Sequence, residues 1–412
     1  MLTPLLLLAA CSAEPPQGDL VPTLLAEVPH GRLERVGALE VLRLEGTREE
    51  MGRAEGALLC GRVTRLVQDY IVDFAAVNLM IGYPWLREGV LARARVPDAD
   101  RRQLAALREG MESCPAGDLE LRIRGPEGVQ ERPIELEDLV VATAIGDVGC
   151  SSFSAWGAAA RGGGLLLGRT FDYPSDPGGT FVEAQLLKVY REPDGARWAS
   201  VSLPGLVGCI TCVTDGGAAL AVHNAAGAKG QGGGLVPRLL AARDALLATR
   251  GAPDPVAAAE AVLEAAPQGV GNAFHLVLPG GEGAVVLEVD GQDRAEDGRV
   301  TVRRPGALPS PATREALVLT NHFGLRDPPR REGDSAERYR LLAEGLDRAA
   351  AAGGLEPAGA RRLLGGVGRG ITAHALLLDL GAGTLDLWVA EGEGEDATDA
   401  PATRLELRDL LR

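Results

Sequence analysis

The sequence predicts an α+β fold of layered sheets and helices, and two observations carry that prediction. The text changes character near residue 150, from mainly helical before it to short β runs separated by Gly, Asp and Pro turns after it. Those later strands give way to a block of helices and then return, without the strict strand–helix alternation that a doubly wound parallel sheet or an α/β barrel requires. The sheets are therefore expected to be largely antiparallel. No period of about 20 to 50 residues recurs, which excludes solenoids and propellers.

Taken in order, a short strand over 39–44 precedes Thr47-Arg48-Glu49-Glu50. This is a capping box, in which a hydroxyl and a carboxylate satisfy backbone N–H groups at a helix start, so a helix should run from there toward Phe74. Two more helices are expected over 98–111 and 136–145. Beyond residue 150, strands are expected over 165–169, 181–190, 198–203 and 218–223. Helices follow over 235–250 and 256–266, the second with Asp254 as cap and Pro255 at its first position. Strands return over 273–278, 284–289 and 316–320, a helix starts at Ser335, and a hairpin pairs 373–380 with 384–389. An acidic, Gly-rich loop over 391–401 leads to a strand-like end over 403–411. Gly366-Val367-Gly368-Arg369-Gly370 reads as a turn, because no strand and helix frame it as a dinucleotide loop would need.

With 42 Lys plus Arg against 57 Asp plus Glu, the 412-residue chain carries a formal charge of −15, which argues against nucleic-acid binding. At 46% hydrophobic and 24% charged it is a folding composition. The apolar run Leu5 to Leu8 with Ala9, Ala10 and Cys11 is too short to span a bilayer and reads as a signal peptide. Leu8-Ala9-Ala10-Cys11 resembles the lipobox of bacterial lipoproteins. On that reading residues 1–11 are the signal, Cys11 is lipidated, and the protein is exported and anchored in the bacterial cell envelope, periplasmic or at the outer membrane. The alternative is an apolar N-terminus packed on the domain. Export would place Cys60, Cys114, Cys150, Cys209 and Cys212 in an oxidising space, where an odd number leaves at least one thiol unpaired. Cys209 and Cys212 lack the second pair or histidines of a zinc site, and fit buried strand residues or a local disulfide better than a redox motif. Cys60 and Cys114 have the option of pairing.

The usual motifs of phosphate-binding loops, zinc proteases, serine-hydrolase elbows and EF-hands are missing from the sequence. His30, His223, His275, His322 and His374 are scattered, none at ligand spacing, and read as hydrogen-bonded strand or loop residues. What remains is Gly149-Cys150-Ser151-Ser152-Phe153, where the helical half meets the β half, followed by Gly168-Arg169-Thr170-Phe171-Asp172-Tyr173. This pairing resembles the acyl-coenzyme A:6-aminopenicillanic acid acyltransferase (isopenicillin-N acyltransferase-like) family of N-terminal nucleophile cysteine hydrolases. Further stretches fall in that family's order over most of the chain: Leu44 to Arg53, Leu107 to Met111, Gly216 to Asn224, Pro237-Arg238 with Arg243, Gly271-Asn272, Thr320 to Phe323, and Ser335 with Arg338-Tyr339.

The resemblance implies a four-layer αββα sandwich and a precursor that cuts itself between Gly149 and Cys150. Residues 12–149 would then form a helical pro-segment or α chain that stays associated with a catalytic β chain, 150–412. The residues support this independently. A thiol placed after Gly can attack the preceding carbonyl, and Gly tolerates the backbone conformation required. Cleavage frees an α-amine whose ordinary pKa of about 7.7 to 8.0 suits it as general base for its own thiol. The resemblance places Arg169 beside the thiol, where its charge favours the thiolate. It assigns Asp172 to hold the α-amine and balance the arginine, Asn272 and Asn224 to the oxyanion, and Arg338 to the charge network, with Asn321 and His322 as walls. Read as residues alone, Arg169 and Asp172 also fit a surface salt bridge, Asn224 and Asn272 fit turn caps, and Arg338 fits a solvated first helical turn. The expected activity is hydrolysis of a small acyl amide, or acyl transfer, through a thioester on Cys150, with no metal or organic cofactor. Two alternatives remain: a lipid-anchored binding protein that keeps the fold without the chemistry, and a ceramidase-like hydrolase of lipid amides. Against the latter stand an aromatic content of 4% and no clear amphipathic membrane helix.

Overall fold

The computed structural model describes residues 21–125, 127–144, 149–225, 232–291, 298–326, 333–392 and 394–412. Cys11 and the lipobox lie outside them. Three strands open the described chain, β1 (Thr23–Val28), β2 (Gly31–Val36) and β3 (Leu39–Glu45). The capping box forms as expected: Glu50 N donates to Thr47 Oγ1 at 3.2 Å and Thr47 N donates to Glu50 Oε2 at 2.8 Å. It opens α1 (Arg48–Arg65), which continues through a wider π-helical stretch over Leu66–Ala75 into the single turn α2 (Ala76–Asn78). There follow α3 (Tyr83–Leu91), α4 (Asp98–Met111), the hairpin β4 (Glu120–Gly125) and β5 (Gly128–Pro133), and α5 (Leu136–Ala144). Helices α1 and α4 lie so close that a Cβ at Gly56 or Gly110 would run into the opposing backbone, and the disulfide Cys60–Cys114 ties their ends.

The second half runs β6 (Gly149–Gly157), β7 (Gly163–Asp172), α6 (Thr180–Glu183), β8 (Leu186–Arg191), β9 (Arg197–Ser202), β10 (Thr211–Thr214) and β11 (Ala219–Asn224). Then come α7 (Arg238–Ala248), α8 (Pro255–Glu264), β12 (Asn272–Leu278), β13 (Gly283–Val289), β14 (Val300–Arg303) and β15 (Ala316–Leu319). The chain closes with α9 (Asp334–Ala351), α10 (Pro357–Gly365), β16 (Thr372–Asp379), β17 (Thr384–Val389), β18 (Thr403–Glu406) and α11 (Leu407–Leu410). Asp254 caps α8 as expected, its Oδ1 accepting from Ala257 N at 3.0 Å.

The strands form a ten-stranded sheet, ordered β1-β2-β3-β8-β9-β10-β11-β12-β13-β14, and a six-stranded sheet, ordered β15-β6-β7-β16-β17-β18. Within these two sheets every pairing is antiparallel except β3 with β8, which is parallel. Val41, Leu187, Val201 and Val277 of the larger sheet meet Leu167, Leu376, Leu378 and Leu387 of the smaller one in a shared apolar layer. The other face of the larger sheet packs on α1, α4, α5, α7 and α8 through residues such as Met51, Leu107, Leu139, Leu240 and Leu263. The other face of the smaller sheet, with Phe153, Ala155 and Trp388, packs on Leu342 and Leu346 of α9 and Leu364 of α10. The order helix, sheet, sheet, helix is the four-layer αββα sandwich that the resemblance implied.

Three expectations need correction. The strand expected over 181–190 begins only at Leu186, because the Asp176 carboxylate accepts from Thr180 N at 3.1 Å and Phe181 N at 3.0 Å and winds α6 there. The expected strand over 403–411 stops at Glu406, where α11 turns its Leu407 and Leu410 under the sheet. The mainly helical first half also carries β1, β2 and the β4/β5 hairpin, none of which the hydrophobic pattern marked.

Candidate active site

Strand geometry arranges the site. Successive side chains of a strand point to opposite faces, and β6 pairs with β7 so that Gly149 faces Asp172, Cys150 faces Phe171 and Ser152 faces Arg169. Cys150, Ser152 and Arg169 therefore point toward the larger sheet, whereas Ser151 and Asp172 point toward α9.

Cys150 is buried and is the free cysteine among the described residues, since Cys209 and Cys212 also form a disulfide. Arg169 Nη2 lies 3.2 Å from its Sγ and donates to Val222 O at 2.7 Å. Nη1 donates to Ile210 O at 2.6 Å and to Thr211 Oγ1. The guanidinium is thus fixed by a strand end and the Cys209–Cys212 loop, with Phe171 beneath it at 5.1 Å. Burial pushes the Cys150 thiol up, against the pull of Arg169 and with the push of the Asp172 charge. In the intact chain burial therefore favours the neutral thiol. The cation beside the sulfur, expected to favour the thiolate, is outweighed by complete desolvation.

From the opposite face the backbone of Cys150 is clamped. Its N–H donates to Asn321 Oδ1 at 2.8 Å, and its carbonyl accepts from Arg338 Nη1 at 2.7 Å. Arg338 also donates to Ser151 Oγ at 2.5 Å, to Asn321 Oδ1 at 2.8 Å and to Asp334 Oδ2 at 3.0 Å. Asn321 Nδ2 donates to Asn224 O at 2.8 Å. Asn321, expected only as a wall, thereby joins the N–H of the candidate nucleophile, Arg338 and the end of β11.

Asp172 does not balance Arg169. A step of three residues along β7 puts it on the other face, where its cation is Arg338, with Nη1 3.9 Å from Oδ2. Thr372 Oγ1 donates to Oδ1 at 2.8 Å. Oδ2 is buried with no hydrogen-bond partner among the described residues and lies beside Gly149, 3.7 Å from where a Cβ would stand. Burial raises this carboxyl to about 6, against the hydrogen bond from Thr372 and the Arg338 charge. The carboxylate is thus placed next to the Gly149–Cys150 peptide, ready for a donor.

The expected oxyanion residues are paired neighbours on β11 and β12, Asn224 opposite Asn272. Asn272 spends both amide hydrogens, on Gln268 Oε1 at 2.5 Å and Val270 O at 3.0 Å, while Arg238 Nη1 donates to its Oδ1 at 3.0 Å. In this arrangement its side chain has no hydrogen left for an oxyanion and serves to hold Arg238. Asn224 lines the cavity beside Arg169. Each histidine makes a hydrogen bond, but His223 Nδ1 and His374 Nε2 are buried with no partner among the described residues. Ser152 Oγ lies 2.8 Å from both His223 Nε2 and His275 Nδ1, Ser154 Oγ lies 2.9 Å from His275 Nε2, His322 Nδ1 meets Ser335 Oγ at 2.8 Å, and His374 Nδ1 meets Gln185 Oε1 at 2.8 Å. Among the described residues no group of three or more His, Cys, Asp and Glu could hold a metal ion.

A cavity of about 40 Å³ lies against Arg169, Phe171, Val222 and Asn224. It shares Tyr70, Tyr173 and Arg238 with a larger one of about 630 Å³ that reaches the surface near Leu79, Ile81 and Trp85. Of the chain's 6 Phe, 5 Tyr and 4 Trp, six line these two cavities: Tyr70, Phe74, Trp85, Phe171, Tyr173 and Phe181. Six of the fifteen aromatic side chains thus stand where a ligand would enter.

No protein-family model matches the chain, and no curated protein does. Among solved structures it is similar to an ortholog of N-acylethanolamine-hydrolyzing acid amidase from Caenorhabditis elegans, at 14% identity over 56% of this chain and 93% of that one, TM-score 0.38. It is similar to a variant of the conjugated bile acid hydrolase from Clostridium perfringens, at 12% identity over 63% and 93%, TM-score 0.38. It is also similar to penicillin V acylase from Agrobacterium tumefaciens, at 14% identity over 64% and 88%, TM-score 0.38. Likeness this distant carries no argument about chemistry, which the side chains around Cys150 must supply.

Proposed function

We propose that the chain is a self-processing cysteine hydrolase or acyltransferase of the N-terminal nucleophile class, acting on an amide whose acyl part is apolar. The observation that carries the reading is the buried free thiol directly after Gly149, held 3.2 Å from a fixed guanidinium with its own N–H and C=O clamped by Asn321 and Arg338. In processing, the thiol adds to the Gly149 carbonyl carbon and the peptide nitrogen leaves with a proton, giving a thioester. Water then releases the Gly149 carboxylate and leaves Cys150 with a free thiol and an α-amine. Asp172 Oδ2, beside Gly149, is placed to accept from that amine. In turnover the α-amine takes the thiol proton, the thiolate attacks the substrate carbonyl beside Arg169, and the amine product leaves with a proton. Water, or an acceptor amine, then resolves the thioester. The apolar, aromatic lining of the cavities supports the apolar acyl part.

The test is a panel of N-acyl amino acids, penicillins and N-acyl lipids, read as amine release by the wild type beside Cys150→Ala. Turnover confined to the wild type supports the reading. Equal release by both proteins removes Cys150 as the nucleophile, and release by neither removes the hydrolase reading and leaves a binding protein on this fold.

A further inference from the structure

At one place the polar surface gives way. Where α2 turns into α3, Val77, Leu79, Met80, Ile81 and Trp85 are exposed to 65%, 49%, 91%, 44% and 64%. The chain turns here with Met80 at φ 57° and Gly82 at φ 56°. The first is an unusual backbone for a side-chain-bearing residue, and Met80, which adopts it, is the most exposed of the five. Contiguous apolar exposure on this scale marks an interaction surface. Leu79, Ile81 and Trp85 are at the same time the rim of the cavity of about 630 Å³. Arg124 sits in a shallow depression with Met80, Ile81 and Trp85, and none of the described residues lining either hollow is acidic, in a chain of net charge −15. Glu88, exposed one turn beyond Trp85 on α3, marks the edge.

We infer that this patch docks the protein on an anionic lipid surface, with Met80 and Trp85 in the boundary between headgroups and acyl chains and Arg124 toward the phosphates. Two features select a lipid surface as the occupant. A protein seated over the patch would seal the cavity mouth, whereas a bilayer leaves that apolar hollow continuous with the acyl region. The Arg124 guanidinium, in a hollow whose described lining carries no carboxylate, complements anionic headgroups. No helix among the described residues is long and apolar enough to cross a membrane, so the contact is peripheral. The inference stands apart from the chemistry at Cys150 and from any lipid on Cys11.

The test uses the full chain carrying Cys11→Ser, so that no acyl anchor contributes. Its sedimentation is measured with vesicles of phosphatidylcholine and phosphatidylglycerol at three to one, and with pure phosphatidylcholine. The unsubstituted patch should bind the mixed vesicles at least tenfold more tightly than Met80→Asp/Trp85→Asp, with the same urea midpoint for both proteins and weaker binding to the neutral vesicles. Equal binding by both proteins, no binding by either, or indifference to vesicle charge overturns the inference. A patch-dependent dimer in the absence of vesicles overturns it as well, and assigns the surface to a second copy of the chain.

Discussion

The buried carboxyl beside Gly149 makes a quantitative prediction. Asp172 is fully enclosed and its pKa is raised from 3.8 to about 6 by burial, despite Thr372 and Arg338. A group more readily protonated in the folded than in the unfolded chain favours folding at low pH. Its contribution is complete below 3.8 and is lost as pH rises through about 6. At about 1.4 kcal/mol per pH unit, the ionised Asp172 costs about 3 kcal/mol above that range. Asn at this position keeps an acceptor for Thr372 and never ionises. In a Cys150→Ala background, which keeps both proteins as one chain, Asp172→Asn should match its parent near pH 4. It should become more stable by up to about 3 kcal/mol near pH 8, as read by urea unfolding across that range. If Asp172→Asn is less stable than its parent at pH 8, then Arg338 more than compensates the buried charge, and the description of Asp172 as a strained acceptor waiting for an amine fails.

Three more perturbations follow from the same contacts. Asn321→Ala removes the acceptor for Cys150 N–H and the donor to Asn224 O, each hydrogen bond worth about 1 kcal/mol and more when a buried partner is orphaned; a time course of chain cleavage on gels should slow by about a hundredfold. The ion pair of Glu55 and Lys188 is wholly buried at 2.6 Å, and Glu55 also accepts from Gly205 N on the loop that carries cavity residues Leu203 and Leu206. Lys188→Met should destabilise by about 3 to 5 kcal/mol in urea, and Glu55→Leu added to it should recover part of that loss. Asp100 joins the two halves by accepting from Arg243 at 2.7 and 3.1 Å and from Arg48 at 3.0 Å. Asp100→Ala should therefore let the processed chains separate in gel filtration at urea concentrations that leave the wild type associated.

The fold was legible where local chemistry decides it. The Thr47 box, the Asp254 cap with Pro255, and the short apolar runs of β12, β13, β16 and β17, buried almost throughout, all formed where the pattern placed them. The first two strands were not, because β1 is exposed along nearly its whole length and gives no alternation to read. In the site, the adjacency of Cys150 and Arg169 follows from a resemblance in two short motifs. The separation of Asp172 from Arg169 follows from a two-residue strand period that a linear reading of Gly168 to Tyr173 overlooks. Asn321 lies 171 residues from Cys150, and only the pairing of β15 with β6 brings it to the backbone it holds. The apolar patch is not legible in the sequence, because it spans a single helical turn, a loop and the start of α3, too short for a helical period to show which side chains face outward.

Everything proposed for this site depends on Cys150 becoming an N-terminal nucleophile by the chain's own action. Intact mass spectrometry of the purified protein beside Cys150→Ala tests it most directly. The wild type should give two chains, the second beginning at Cys150, and the variant one uncut chain. A wild type that remains whole after prolonged incubation, or a variant that is cut at the same bond, contradicts it.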